Sequence, residues 1–290
     1  MHYEEPLFRP PCEANSLIVQ VTLGCPHNRC VFCDRHRMKK YRARDTEEVK
    51  ADLRKARLMY RHVESIFLAD GNTIAMNSKK LADIISYARD LFPEAERVSS
   101  YGGARFLKGK PLEALRRVRE AGLDIVYFGL ESGDDEILAR MDKGVDSAGM
   151  IEAARRVKEA GIDLSVYILL GLGGEDLWRQ HAENTARVLN AMQPDFIRPR
   201  TLALLPGMPI YEEALEGRFR EACGETIMRE LQMMLSSLEI EDAWFLSDHI
   251  SNYMPVYGHL PEDREKMLAT VEMALGNPRV YLGPRHLTHL

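Results

Sequence analysis

An α/β fold built on a parallel sheet is predicted by three observations. From residue 16 to about residue 205, short strand-like runs alternate with helical stretches. The strand-like runs are mostly apolar at consecutive positions, as buried parallel strands require. Each is separated from the next by enough chain for a helical, right-handed crossover.

Strands are expected at residues 16–23, 65–69, 97–101, 125–130, 164–170 and 196–204, each rich in β-branched, aromatic or other apolar residues. A helix is expected over 46–62, where Asp45 and Glu48 have capping-box spacing. The polar pair Asn77-Ser78 introduces a second helix, over 79–91. Pro111 starts and Gly122 stops a third, over 112–121. Residues 134–141 give a short helical segment, 147–160 end at Gly161, and 175–192 form the longest helix of this set. Beyond Pro206-Gly-Met-Pro209 the pattern changes. Helix is expected over 210–238, interrupted near Cys223-Gly224, and again over 262–275, with mixed character at 244–253 and a loop-like tail.

The chain has 290 residues, a net charge of −5, 45% hydrophobic and 29% charged residues, which suit an ordinary globular protein of one large domain or a domain with an extension. No run reaches the ~18 apolar residues of a membrane span. The start, Met1-His-Tyr-Glu-Glu5, is acidic and has no apolar signal region. Five cysteines, three of them clustered, fit a reducing compartment, so a cytoplasmic location is expected. Mild acidity argues against a dedicated nucleic-acid binder. Residues 35–44 oppose this locally with six Lys or Arg, either a solvated loop or an attractor for an anion.

Cys25, Cys30 and Cys33 lie within nine positions, on a Gly-Cys-Pro turn at the end of the first expected strand. Clustered thiolates are soft ligands that suit an iron–sulfur cluster or zinc. A four-iron cluster usually takes four cysteines, so three would leave one iron open. Other readings stand beside this one. Cys30 and Cys33 form a CxxC pair that would serve as a redox disulfide. His27 or His36 would complete a Cys3His zinc site, and buried free cysteines would act as small hydrophobes.

With Phe32 just before the third cysteine, this loop resembles that of the radical S-adenosylmethionine (SAM) superfamily. The usual Cys-x3-Cys-x2-Cys spacing is here Cys-x4-Cys-x2-Cys. Later strand ends extend the resemblance. Asp70-Gly71-Asn72 stands where that superfamily has a Gly-Gly-Glu segment holding the SAM amino group; by itself it reads as a strand-to-helix turn. Gly129-Leu-Glu131-Ser132-Gly133 resembles the branch of methylthiotransferases and oxygen-independent coproporphyrinogen oxidase, with a helix cap or a local salt bridge as the plain alternative for Glu131. Leu169-Leu-Gly171-Leu-Gly-Gly174 is similar to the adenine-binding segment, and no Lys-Ser/Thr follows to make it a phosphate loop. Arg198-Pro-Arg200-Thr is again like that branch, with a surface or ion-paired Arg200 as the plain alternative.

The resemblance implies a partial (β/α)6 barrel with a mainly helical C-terminal extension. The expected division is an arm at 1–15, a radical SAM core at 16–205 and an extension at 206–290. It further implies one 4Fe-4S cluster on Cys25, Cys30 and Cys33. SAM would lie against Phe32, Asp70, Gly71, Asn72, Glu131, Ser132, Leu169, Gly171 and Arg200. Tyr101, His249 and Tyr253 are candidate substrate contacts; Tyr101 also reads as core, and the other two as surface residues. The implied chemistry is reductive SAM cleavage to a 5′-deoxyadenosyl radical that abstracts hydrogen from a small organic substrate, in an oxygen-sensitive enzyme. Alternatives are modification of a tRNA or peptide, or a non-catalytic Fe–S or zinc module. The expected partners are a flavodoxin- or ferredoxin-type electron donor and the substrate, with no membrane and no nucleic acid, in a monomer or weak dimer.

Overall fold

The computed structural model describes residues 1–35 and 38–283. His36, the alternative zinc ligand, Arg37 of the basic segment, and residues 284–290 of the tail lie outside the described residues. In chain order the strands and helices are β1 (Leu17–Gln20), β2 (Thr22–Leu23), β3 (Arg42–Ala43), α1 (Thr46–Met59), β4 (Ser65–Ala69), α2 (Ser78–Leu91) and β5 (Arg97–Tyr101). There follow α3 (Ala104–Lys108), α4 (Leu112–Glu120), β6 (Ile125–Glu131), α5 (Asp135–Arg140), α6 (Ser147–Glu159), β7 (Asp163–Leu170) and α7 (Gly174–Met192). The chain continues with β8 (Phe196–Thr201), α8 (Pro209–Leu215), α9 (Gly224–Ser236), β9 (Ala243–Ser247), β10 (Val256–Leu260), α10 (Arg264–Gly276) and α11 (Pro278–Tyr281). Two compact units emerge.

The first unit comprises residues 1–28, 35–128 and 152–164. Its strands β1, β4, β5 and β6 pair in that order, all parallel. Ile66, Phe67 and Leu68 of β4 are fully buried, as are Ile84, Ile85 and Phe92 in and just after α2. Asp45 caps α1 through Glu47 N–H, and Asn77 caps α2 through Lys79 and Lys80 N–H. Glu48, the expected partner in a capping box, turns towards Arg44 instead. The first expected strand is two elements. β1 joins the sheet, whereas β2 leaves it to pair antiparallel with β3 inside the basic segment. Apolar periodicity carries no trace of this division, because all of residues 17–23 are buried in either role. The N-terminal arm is bound rather than loose. Glu13 is fully buried and accepts hydrogen bonds from Ser99 Oγ (2.8 Å), Arg97 Nη2 (3.2 Å) and Tyr127 OH.

The second unit comprises residues 29–34, 129–151 and 165–290. In it β7, β8 and β9 are parallel neighbours, and β10 returns antiparallel to β9. The extension is therefore less purely helical than expected, since β9 and β10 add strands beside β8. The helical stretch expected over 210–238 with an interruption near Cys223-Gly224 is two helices, α8 and α9, separated at residues 216–223, where Gly217 adopts a φ of 73°. Helix α3 was not expected at all; a five-residue helix is too short to show a clear period. No helix among the described residues is long and apolar enough to cross a membrane.

Candidate functional site

In the first unit the end of β4 and the Cys25 turn are held by one buried ion pair. Lys39 Nζ lies 3.1 Å from Asp70 Oδ2, with side chains 3% and 0% exposed. Lys39 also donates to the carbonyls of Glu4 and Pro6. Asp70 Oδ2 accepts weakly from Gly24 N–H and Gln20 Nε2, both at 3.4 Å, and its Oδ1 accepts from Gly71 N–H at 2.8 Å. The carboxylate of Asp70 thus faces Lys39 and backbone donors. Gly24 needs its freedom: φ is +67°, and a Cβ there would meet Lys39 O at 3.0 Å. This turn delivers Cys25. Tyr41 stands close by; burial first, then the charge of Cys25, raises its phenol pKa. Asn72 is buried and spends its Oδ1 on Gly103 N–H at 3.2 Å. Tyr101 belongs to an aromatic group, edge-on to Phe67 at 5.1 Å and 6.2 Å from Tyr127. Arg105 reaches His27 Nδ1 at 2.9 Å, a contact the sequence did not signal.

In the second unit residues 30–33 form a tight turn, with Cys33 N–H donating to Cys30 O at 3.2 Å. The turn is docked by Val31 N–H to Met141 O and by Ile210 N–H to Val31 O. Val31 and Phe32 pack against a local core of Ile137, Met141, Leu172, Leu202, Met208 and Ile210, which Leu169 also joins. Lys143 connects two expected site residues: its Nζ lies 5.6 Å from the Phe32 ring centre and 3.1 Å from Glu131 Oε1. Glu131 closes β6 with a φ of 64°, a left-handed conformation uncommon outside glycine. Such outliers gather at functional sites. Ser132 is buried and accepts from Asp134 N–H at 3.0 Å.

At the end of β7, Gly171 has a φ of +82°, and a Cβ would fall 2.6 Å from Ile227 of α9. Its N–H donates to both carboxylate oxygens of Glu230, at 3.1 and 3.2 Å. Glu230 in turn meets His181 Nδ1 at 2.9 Å, both side chains being fully buried. The sequence reading passed over His181 and Glu230. Their signal was present, since each sits in the apolar stripe of its helix: His181 with Leu177 and Thr185, Glu230 with Ile227 and Met234. Arg200, opposite Leu169 in the β7–β8 register, stacks its guanidinium over Tyr167 at 4.4 Å. Its Nη2 is buried without a hydrogen-bond partner among the described residues. His249 folds onto its own turn, with Nδ1 2.8 Å from Ser251 Oγ, and Tyr253 packs where Gly224 leaves space. Ser251 and Asn252 bond to Thr201, so this turn lies at the C-terminal end of β8.

Cys25, Cys30 and Cys33 are partly exposed, and Cys12 and Cys223 are exposed. Among the described residues no three His, Cys, Asp or Glu side chains converge on a single metal ion. A four-iron cluster takes each thiolate on a different iron, so three soft thiolate donors fit it on donor chemistry.

Residues 19–187 match the family model of the radical SAM superfamily. A curated relative, an uncharacterized methyltransferase of Pyrococcus horikoshii, is 25% identical over 205 residues, which is 68% of this chain and 42% of the relative. The chain thus spans less than half of that relative's length. Among solved structures, methylornithine synthase is 18% identical with a TM-score of 0.56, over 88% of this chain and 68% of that one. Coproporphyrinogen III oxidase of Escherichia coli is 17% identical, TM-score 0.56, over 76% and 51%. TsrM of Kitasatospora setae, a radical SAM methyltransferase solved with cobalamin and a [4Fe–4S] cluster, is 20% identical, TM-score 0.56, over 70% and 39%. At these identities the likeness shows the fold, and it is the α/β partial barrel that the sequence predicted.

Proposed function

Because this chain belongs to the radical SAM superfamily, whose cofactors are a [4Fe–4S] cluster and SAM, we propose that it is an enzyme that cleaves SAM reductively and removes hydrogen from a small organic substrate. When bound, the cluster and SAM supply the electron transfer and the 5′-deoxyadenosyl radical, chemistry that no side chain can provide. The observation that carries this reading is the cluster of three cysteines, Cys25, Cys30 and Cys33, inside the matched segment.

The chain's own part is to bind and to exclude water. Cys25, Cys30 and Cys33 hold the cluster as thiolates. Gly71, Glu131, Ser132, Leu169 and Gly171 offer strand-end backbone to SAM, as ligand sites in α/β barrels gather at strand ends. Asp70 acts at one remove. With its carboxylate committed to Lys39, it sets the turn that presents Cys25, and Asn72 likewise braces Gly103. Arg200 has an unspent donor suited to the carboxylate of SAM or of a substrate. Lys143 links the Phe32 ring to the Glu131 carboxylate and so steadies both. The electron would come from a flavodoxin- or ferredoxin-type donor.

A second reading, methyl transfer, is favoured by the description of the Pyrococcus horikoshii relative as a methyltransferase. One experiment separates the two. The protein is reconstituted with iron and sulfide without oxygen, reduced, incubated with SAM, and the products are chromatographed. 5′-Deoxyadenosine supports hydrogen abstraction; S-adenosylhomocysteine without it supports methyl transfer. Neither product from a protein with an intact cluster supports a non-catalytic module.

A further inference from the structure

We infer that the buried pair of His181 and Glu230 is a positioning device that holds the ends of β6 and β7 in the geometry that receives SAM. The inference rests on the functional reading above and adds to it two residues outside the strand ends. Glu230 lies on α9, beyond the segment that matches the family model.

Both ring nitrogens of His181 have oxygen partners. His181 Nδ1 faces Glu230 Oε1 at 2.9 Å, and Nε2 faces the backbone carbonyl of Glu131 at 3.3 Å. A carboxylate and a carbonyl can only accept, so both ring nitrogens must donate. Two acceptors facing the two ring nitrogens favour the imidazolium form of His181. Burial disfavours the charged ring, but the charge and hydrogen bond of Glu230, the Glu131 carbonyl and the charge of Asp134 together raise its pKa.

Three segments meet through these two side chains. Glu230 takes the Gly171 N–H on both oxygens, which orients the turn after β7. His181 holds the carbonyl of Glu131, the residue with left-handed backbone at the end of β6. One turn further along α7, Thr185 Oγ1 accepts from Gly133 N–H at 2.9 Å, so the same helix face grips both sides of the Glu131-Ser132 corner. A glycine turn and a left-handed Glu are locally weak structures. Each would wander if the hydrogen-bonded ion pair behind them were lost.

The test compares wild type with Glu230→Ala and, as the milder change that keeps an acceptor for Gly171 N–H, Glu230→Gln. Three quantities are read: iron per chain after reconstitution, the SAM dissociation constant by calorimetry, and deuterium exchange of the peptide covering residues 168–174 without SAM. In Glu230→Ala we expect unchanged iron, locally faster exchange in that peptide, and SAM binding weaker by about tenfold or more, the size of a lost charge-assisted hydrogen bond. Glu230→Gln should recover part of both. Wild-type SAM affinity in Glu230→Ala, or exchange that rises equally over the whole chain, would overturn the inference. A wild-type protein that binds no SAM would instead refute the functional reading, while the exchange data still decide whether the pair holds the turn.

Discussion

A buried carboxylate–cation pair stands behind the strand ends of each unit, and the two pairs act on different objects. Asp70 and Lys39 tie together the end of β4, the Gly24 turn before Cys25 and the N-terminal arm. Glu230 and His181 tie together helices α7 and α9, the Gly171 turn and the end of β6. The first pair stands behind a thiol, the second behind backbone that the fold offers to a ligand. A lysine fixes the turn that presents Cys25, and a histidine, the side chain whose charge changes near neutral pH, fixes the strand-end backbone proposed above to receive SAM.

The comparison is broken most directly by removing one member of each pair. Leaving a buried charge without its partner costs about 3–5 kcal/mol, so Lys39→Met and Glu230→Ala should both lower the denaturant midpoint strongly. Their second effects should diverge. Lys39→Met frees Asp70 and the Gly24 turn, and iron bound per chain should fall towards zero, as in Cys25→Ala. Glu230→Ala should keep its iron and lose SAM affinity. Equal iron loss in both variants would erase the distinction between the pairs.

The pairs were legible in the sequence to different degrees. The strand order, most helices and the strand-end segments follow from alternation and from glycine and proline punctuation, because these signals are local. The cysteine triplet was equally plain. Asp70 was singled out as a ligand contact, and its partner Lys39 was hidden. Lys39 reads as one more charge in a basic run, and only the β2–β3 ribbon turns it inward. Glu230 was harder still, since its target is 59 residues away at Gly171. No local pattern reports a contact of that range, although a glutamate in the apolar stripe of α9 marks a buried charge in want of a partner. The strands β9 and β10 were missed as such because their exposed or half-buried Trp, Tyr and His residues alternate with buried ones over only five positions each.

A smaller effect follows from titration of the second pair. The pKa of His181 is raised in the fold above its ordinary 6.5. A raised folded pKa means that folding binds a proton, so the pair stabilises fully below pH ~6.5 and the contribution is lost as pH rises through the folded value. Glu230 and Asp134 are the acidic groups behind this shift. Wild type and His181→Asn should therefore differ most in melting temperature at pH 6, and the gap should narrow towards pH 9. A gap that widens with pH would mean that the ring is buried neutral, contrary to its two acceptors.

The smallest expected effect on stability, and the sharpest on binding, is at Arg200. Its guanidinium stacks on Tyr167, but one buried nitrogen has no hydrogen-bond partner among the described residues, so it carries a donor that the fold does not use. Replacing it by methionine removes that unsatisfied donor and keeps much of the apolar stem, so the denaturant midpoint should move by less than about 1 kcal/mol equivalent. If Arg200 meets a carboxylate of SAM or substrate, the same change removes a charge-assisted hydrogen bond of about 1.5–3 kcal/mol, or roughly tenfold or more in affinity. Calorimetry with SAM distinguishes the two carboxylates. Weakened SAM binding assigns Arg200 to the cofactor beside the Gly171 turn. Unchanged SAM binding with slower 5′-deoxyadenosine formation in the presence of substrate assigns it to the substrate. Unchanged behaviour in both assays would make the stacking on Tyr167 its whole role.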